Sequence, residues 1–253
     1  MHPLIFGNAP LEGEAALSER KKALVLFSGG QDSATCLAWA LARDEYGLVE
    51  TIGFSYGQRH AIELECRPRF IEKLRASFPG WDAKLGQDRV IELGVIRELG
   101  QTALTHDVEI EMGKNRLPTT FVPGRNLFFL TAAGVVAYRR GLDELVAGMC
   151  ETDFSGYPDC REATIKSMQA SLMLGLDRPC KIQTPLMHVD KAETWVAAER
   201  LGGWALIALI LEETHSCYRG VREKRHPWGY GCAECPACDL RIKGWVRYEA
   251  GRL

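Results

Sequence analysis

The sequence predicts an α/β fold, a parallel sheet sandwiched by helices, with a small metal-binding segment near the C-terminus. Three observations predict it. Residues 23–27 are an apolar run that ends in Ser28-Gly29-Gly30 and leads into an apolar stripe at Ala34, Leu37, Ala38 and Leu41. That pattern reads as strand, tight turn and amphipathic helix. A second strand read at 49–54 completes a βαβ unit, which sets strands parallel and ligands at their carboxyl ends. Lastly, Cys232, Cys235 and Cys238, with Cys217 fifteen residues upstream, place four thiols at metal-ligand spacing.

The bulk numbers narrow the class. A chain of 253 residues holds one large α/β domain or a domain with a small appendage. Its 46% hydrophobic and 25% charged residues are those of an ordinary globular protein. With 31 basic against 33 acidic residues, the balance argues against a dedicated nucleic-acid binder. No uninterrupted apolar run reaches membrane-spanning length, and 204–211 reads as a core element. No secretion signal is read at the N-terminus, and nine cysteines, four of them clustered, suit a reducing cytoplasm.

Residues 1–22, with Gly, Pro and charges but no sustained period, read as an N-terminal extension. Residues 23–212 read as a nucleotide-binding α/β domain and 213–253 as a zinc-binding segment. The first helix runs from the Gly-Gly turn to about residue 43, with Asp32 and Ser33 both suited to cap it. The glycines let a ligand approach the main chain, and free N–H groups at the helix start favour an anion. Neither G-x-x-x-x-G-K-[ST] nor G-x-G-x-x-G is present.

The strand at 49–54 delivers Tyr56-Gly57-Gln58-Arg59-His60 to the same functional edge. The helix expected from 58 should end or kink at Pro68, which would clash with the Leu64 carbonyl. After a strand at 89–93, residues 94–123 lack clean periodicity, as a lid over a site would. A long helix follows at 125–140, then a short strand at 144–148 that presents the polar, aromatic stretch 150–161. The remaining elements are a helix at 165–174, a strand at 181–184, and a helix capped by Asp190 with Glu193 at the capping-box position.

Tetrahedral Zn²⁺ held by Cys217, Cys232, Cys235 and Cys238 is the most economical reading of the cysteine cluster. Four thiolates leave no open position, so such a metal is structural. An iron–sulfur cluster, a redox pair and a nucleic-acid-binding zinc ribbon compete with it. Cysteines 36, 66, 150, 160 and 180 read as buried or incidental.

The ordered motifs carry a resemblance. Ser28-Gly29-Gly30-Gln31-Asp32-Ser33 resembles the pyrophosphate-binding loop of ATP pyrophosphatases. Together with Tyr56-Gly57-Gln58-Arg59-His60, Thr120 to Asn126, Cys150 to Arg161, Thr184-Pro185-Leu186-Met187, Asp190 to Trp195 and the four cysteines, it resembles the 7-cyano-7-deazaguanine synthase family of queuosine biosynthesis. The chain departs from the family pattern at Pro68, at His188 where tryptophan is expected, in a longer N-terminal extension and in a longer segment between Cys217 and Cys232.

The resemblance implies a Rossmann-like, adenine nucleotide alpha hydrolase-like fold and ATP-dependent conversion of 7-carboxy-7-deazaguanine and ammonia to the 7-cyano product. Adenylated acid and adenylated amide are the implied intermediates. ATP would lie along Phe27, Ser28, Gly29, Gly30, Gln31, Asp32, Ser33, Ala34, Thr35, Cys36 and Leu37, with Mg²⁺ held through Asp32 and Zn²⁺ by the cysteines. Asp32, Ser33, Arg125 and Lys191 are the implied catalytic residues. Gln58, Arg59, Glu151, Asp153, Phe154, Tyr157 and Asp159 would bind substrate. Read alone, Arg125 equally suits a local salt bridge, Lys191 a solvated helix turn, and His60 either a proton carrier or a bland surface residue. A homodimer without nucleic-acid or membrane partners is implied. The alternatives are a tRNA-thiolating or amidating ATP pyrophosphatase of the same fold, and a zinc-ribbon nucleic-acid binder.

Overall fold

The computed structural model describes residues 20–113, 117–152 and 157–251. Most of the expected N-terminal extension, with Asp153 and Phe154, lies outside the described residues. Strand β1 (Lys21–Leu26) runs on into Phe27 and is apolar on both faces because each face meets a separate core. Ala23, Val25 and Phe27 point into one core and Leu24 and Leu26 into the other, the period of two of a strand.

Five parallel strands form the sheet in the order β3-β2-β1-β4-β5. The others are β2 (Tyr46–Ser55), β3 (Leu85–Glu92), β4 (Glu144–Val146) and β5 (Lys181–Gln183). One core joins β1 and β2 to helices α1 (Gln31–Ala42), α2 (Ile62–Ser77), α5 (Lys191–Glu213) and α6 (Pro236–Ala250). The opposite core joins β1, β2, β4 and β5 to α3 (Arg125–Arg140) and α4 (Glu162–Leu176). The strand order reverses between β1 and β4, which opens a crevice at their carboxyl ends.

Three expectations are corrected. Neither Asp32 nor Ser33 caps α1; the N-cap is Gly30, with no side-chain cap, and both residues sit inside the first turn with other partners. Helix α2 begins at Ile62 and runs through Pro68 without ending. A proline inside a helix costs about 3 kcal/mol. Phe70, Ile71 and Leu74 beyond it are buried, each worth about 1.5–3 kcal/mol, so packing outweighs the lost bond. The segment after β3 is not uniformly irregular, since a helical turn forms at Val95–Glu98.

Helix α5 is long and apolar enough, by length and composition alone, to cross a membrane. It is bent at Gly203 (φ 61°), and Trp195, Ala198, Leu206, Ile207 and Ile210 are fully buried in the core. The apolar run is therefore a core element from Leu206 to Leu211, while Trp204 at its start is half exposed.

Candidate active site

The crevice holds a cavity of about 330 Å³ at the carboxyl ends of β1, β2 and β4. Phe27, Ser28, Gly30, Gln31, Asp32 and Ser33 form one wall. The turn from β1 to α1 is fastened internally. The Ser28 N–H donates to Ser33 Oγ (3.1 Å), Ser33 Oγ donates to the Gly30 carbonyl (3.0 Å), and the Gly30 N–H donates to Ser28 Oγ (3.2 Å). The first-turn amides of a helix have no partner inside it, so α1 offers donors to an anion at this wall.

Gly29 is the position in the loop where no other residue fits. Its φ is +97°, and a Cβ there would lie 2.2 Å from the Glu63 carbonyl oxygen in the first turn of α2. The loop therefore rests directly on α2. Ala34, Thr35, Cys36 and Leu37 do not line the cavity, because the helix turns them into the core beneath it.

Asp32 faces the start of α5. Lys191 Nζ donates to both its carboxylate oxygens, at 2.9 and 2.7 Å. The expected capping box holds that helix start in place: Asp190 accepts from the Ala192 and Glu193 N–H groups, and Glu193 accepts from the Asp190 N–H. Gly244 of α6 lies against the Lys191 stem, where a Cβ would be 2.7 Å from Lys191 Cγ, so the lysine has little room to swing away. Opposite, Arg125 opens α3 and lies between the rings of Tyr56 (6.0 Å) and Phe129 (5.9 Å), its buried Nε without a hydrogen-bond partner.

The expected substrate residues divide. Gln58, Arg59 and Tyr157 line the cavity. Gln58 Oε1 accepts from the Tyr56 N–H (2.8 Å), the Arg59 side chain pairs with Asp107 (2.5 Å), and the Tyr157 hydroxyl bonds to Thr120 (2.7 Å). Glu151 and Asp159 are not on the wall and serve helix starts instead. Glu151 accepts from the Glu162 N–H of α4 (3.1 Å), and Asp159 accepts from the Asn126 N–H of α3 (3.0 Å). The second Asp159 oxygen is buried without a partner. His188 is exposed beside Glu162 and away from the cavity wall.

Sequence reasoning missed Glu63, Tyr218 and Arg241, which also line the cavity. Burial pushes the Tyr218 phenol well up, and burial with the Arg59 charge pushes His60 down. Burial likewise raises the thiols of Cys36, Cys66 and Cys180, the direction expected of inert cysteines.

The four clustered cysteines are all buried, and their sulfurs lie within 4.8 Å of one another. Cys232 and Cys238 sulfurs are 3.9 Å apart and those of Cys235 and Cys217 4.0 Å. Ligands about 2.3 Å from a tetrahedral Zn²⁺ would stand about 3.8 Å apart, so the donor set fits that ion. The Glu234 and Cys235 N–H groups point at Cys232 Sγ (3.4 and 3.2 Å), which stabilises a thiolate. This cluster is tied to the wall formed by the Ser28–Ser33 turn. The His215 N–H donates to the Gly29 carbonyl (3.0 Å). Arg241 of α6 donates to Thr214 Oγ1, Ser216 Oγ and the Trp228 and Ile210 carbonyls, spanning the segment from α5 to the cysteines.

Comparison with known proteins places the chain in a family. A family model described as queuosine biosynthesis protein QueC matches residues 22–249. The 7-cyano-7-deazaguanine synthase of Bordetella pertussis is 59% identical over 234 residues, covering 92% of this chain and 95% of the relative. That of Hyphomonas neptunium is 61% identical over 230 residues, covering 91% and 95%. That of Parvibaculum lavamentivorans is 60% identical over 237 residues, covering 94% and 99%. A crystal structure of a 4-thiouridine synthetase–RNA complex with bound ATP matches with a TM-score of 0.47 and 17% identity, covering 91% of this chain and 54% of that one.

Proposed function

The chain belongs to the queuosine biosynthesis protein QueC family, and from that premise we propose that it converts 7-carboxy-7-deazaguanine, ammonia and ATP into 7-cyano-7-deazaguanine. The observation that carries this reading is one cavity lined at once by the Ser28–Ser33 turn, by Lys191 and Arg125, and by Gln58 and Tyr157. Phosphate donors, cations and polar aromatic contacts to a flat heterocycle thus face one another.

A carboxylate resists attack by ammonia and must first be activated. One of its oxygens attacks the α-phosphorus of ATP; the bond to the β-phosphate bridging oxygen breaks, and pyrophosphate leaves. Ammonia then adds to the acyl carbon and expels AMP, giving the amide. The amide oxygen attacks a second ATP in the same manner, the nitrogen gives up both of its protons, and AMP leaves with the electron pair of its C–O bond to give the nitrile.

The loop amides and the N-terminal end of α1 suit the departing pyrophosphate. Lys191 and Arg125 suit the α-phosphate, whose negative charge spreads as the new bond forms. Asp32, with lone pairs beyond those that Lys191 occupies, fits the single carboxylate that Mg²⁺ usually takes beside substrate phosphates. When bound there, Mg²⁺ neutralises charge on the leaving pyrophosphate. Ser33 holds the turn in shape, and Gln58, Arg59 and Tyr157, with Asp153 and Phe154 of the 150–161 stretch, are assigned to the heterocycle. Zinc at the four cysteines would be structural.

Free ammonia is the nitrogen source in this reading. A homodimer in the cytoplasm, with no nucleic-acid or membrane partner, completes it. The near-even charge supports the absence of nucleic acid, and Leu127, Phe128, Val135 and Tyr138 exposed on α3 support self-association.

The test is incubation of the zinc-loaded protein with the acid, ATP, Mg²⁺ and ammonium, with products followed by mass spectrometry. Nitrile, AMP and pyrophosphate are expected. No acid-dependent AMP from folded, metal-replete protein would overturn the reading.

A further inference from the structure

One acidic group at the cavity has no task in the scheme above. Glu63 stands in the first turn of α2 on the cavity wall, partly buried, and among the described residues its carboxylate makes no hydrogen bond and no ion pair. The other carboxylate on that wall, Asp32, is bonded through both oxygens to Lys191. The position of Glu63 is also fixed, because its carbonyl packs against Gly29 of the phosphate loop. Arg125 of α3, Asp32 of α1 and Cys217 of the loop after α5 face it.

The reaction proposed above, on which this inference rests, requires a proton acceptor at that place. When ammonia adds to the acyl adenylate, the new C–N bond leaves the nitrogen with a positive charge and one proton too many. AMP leaves with the electron pair of its C–O bond, and a neutral amide forms only if the nitrogen loses that proton. Among the other groups on the lining, Lys191 and Arg125 are cations and Asp32 is engaged, while His60 is packed against Gly220, where a Cβ would lie 2.6 Å from its ring. We propose that the Glu63 carboxylate accepts the proton from the adding nitrogen, becomes a carboxylic acid, and returns the proton to solvent before the next turnover.

The environment suits the role. Burial raises the Glu63 carboxyl above its ordinary value, and the Arg125 charge opposes the rise. A base poised near the working pH transfers protons most effectively.

Two assays separate the step from everything before it. Acid-dependent exchange of labelled pyrophosphate into ATP reports adenylation and needs no ammonia, whereas amide formation needs it. For Glu63→Gln the exchange should stay within about twofold of wild type, while ammonia-dependent amide formation falls about 10²-fold or more. In wild type, the rate of amide formation per free ammonia should rise with pH through a limb that the exchange lacks and Glu63→Gln loses. Hydroxylamine, whose adduct nitrogen loses its proton to water more readily, should narrow the gap. Exchange lost in step with amide formation would place Glu63 in nucleotide or acid binding and overturn the proposal, as would undiminished amide formation. If Glu63→Gln does not fold, Glu63→Asp and the wild-type pH profiles decide, and a shared limb in both assays overturns it. Wild-type protein without acid-dependent exchange would instead overturn the reaction itself, whatever Glu63 does.

Discussion

At the scale of single residues, the site depends on pairings that bring remote positions together. Lys191 and Asp32 are 159 residues apart in sequence and meet only when the start of α5 docks beside α1. Lys191→Met should lower acid-dependent AMP formation about 10²- to 10³-fold, the scale of losing one transition-state donor. Its melting temperature should shift by only a few degrees, because Asp32 keeps 29% of its side chain exposed and can be hydrated. Equal losses of activity and stability would contradict the assignment. Gly29→Ala tests the loop itself. With φ at +97° and the Glu63 carbonyl in the way, the substitution should destabilise by about 1–3 kcal/mol and weaken ATP binding, measured by chemical denaturation and calorimetry. The loop was legible in the sequence because its residues are contiguous and their roles are local. Glu63 was not, since nothing near it in sequence shows that α2 folds back onto Gly29. Glu151 and Asp159 looked like acceptors for a base, and in the structure each accepts from one N–H of a helix start, off the cavity wall.

At the scale of elements, the capping signal at α5 was read correctly, the one at α1 was not, and the long-range balances were missed. The Asp190–Glu193 capping box is written within four residues and is present as read. Pro68 seemed to end a helix because the cost of a proline is local, while the burial of Phe70, Ile71 and Leu74 that outweighs it comes from elsewhere in the fold. The cysteine spacing announced a metal site but not its link to the loop, which runs through His215 to Gly29 and through Arg241 to Thr214 and Ser216. Metal and phosphate loop should therefore loosen together. Cys235→Ser should lower bound zinc below one ion per chain and lower the melting temperature. It should also speed hydrogen exchange at 28–30 as well as at 214–216. Stoichiometric zinc in that variant would contradict the ligand assignment, and unchanged exchange at the loop would contradict the link.

At the scale of the whole molecule, the edge of the sheet opposite the site is tied by one buried carboxylate. Glu144 at the start of β4 accepts from Lys21 of β1, Tyr46 of β2 and Gln183 of β5, each at 2.7 Å. Burial pushes Glu144 up, but the hydrogen bonds from Lys21, Gln183 and Tyr46 outweigh it and hold the carboxyl below its ordinary value. A depressed folded-state pKa means that this stability is present above the unfolded value, about 4.3, and is lost as pH falls through the folded one. Glu144→Gln should destabilise at neutral pH by about 2 kcal/mol. Its melting temperature should then fall less steeply than that of wild type between about pH 5 and 3. Parallel curves would contradict the account. With that edge closed, the strand-order reversal between β1 and β4 leaves the crevice at the other edge, where phosphate donors and substrate contacts converge.

The most direct measurement is of where oxygen goes. With both carboxylate oxygens of 7-carboxy-7-deazaguanine labelled with heavy oxygen, each of the two adenylations should carry one label into the phosphate of AMP. Two AMP molecules per nitrile, each with one heavy oxygen, is the result predicted for attack of acid and then amide on the α-phosphate. Label released to water or found in pyrophosphate, with unlabelled AMP, would contradict it.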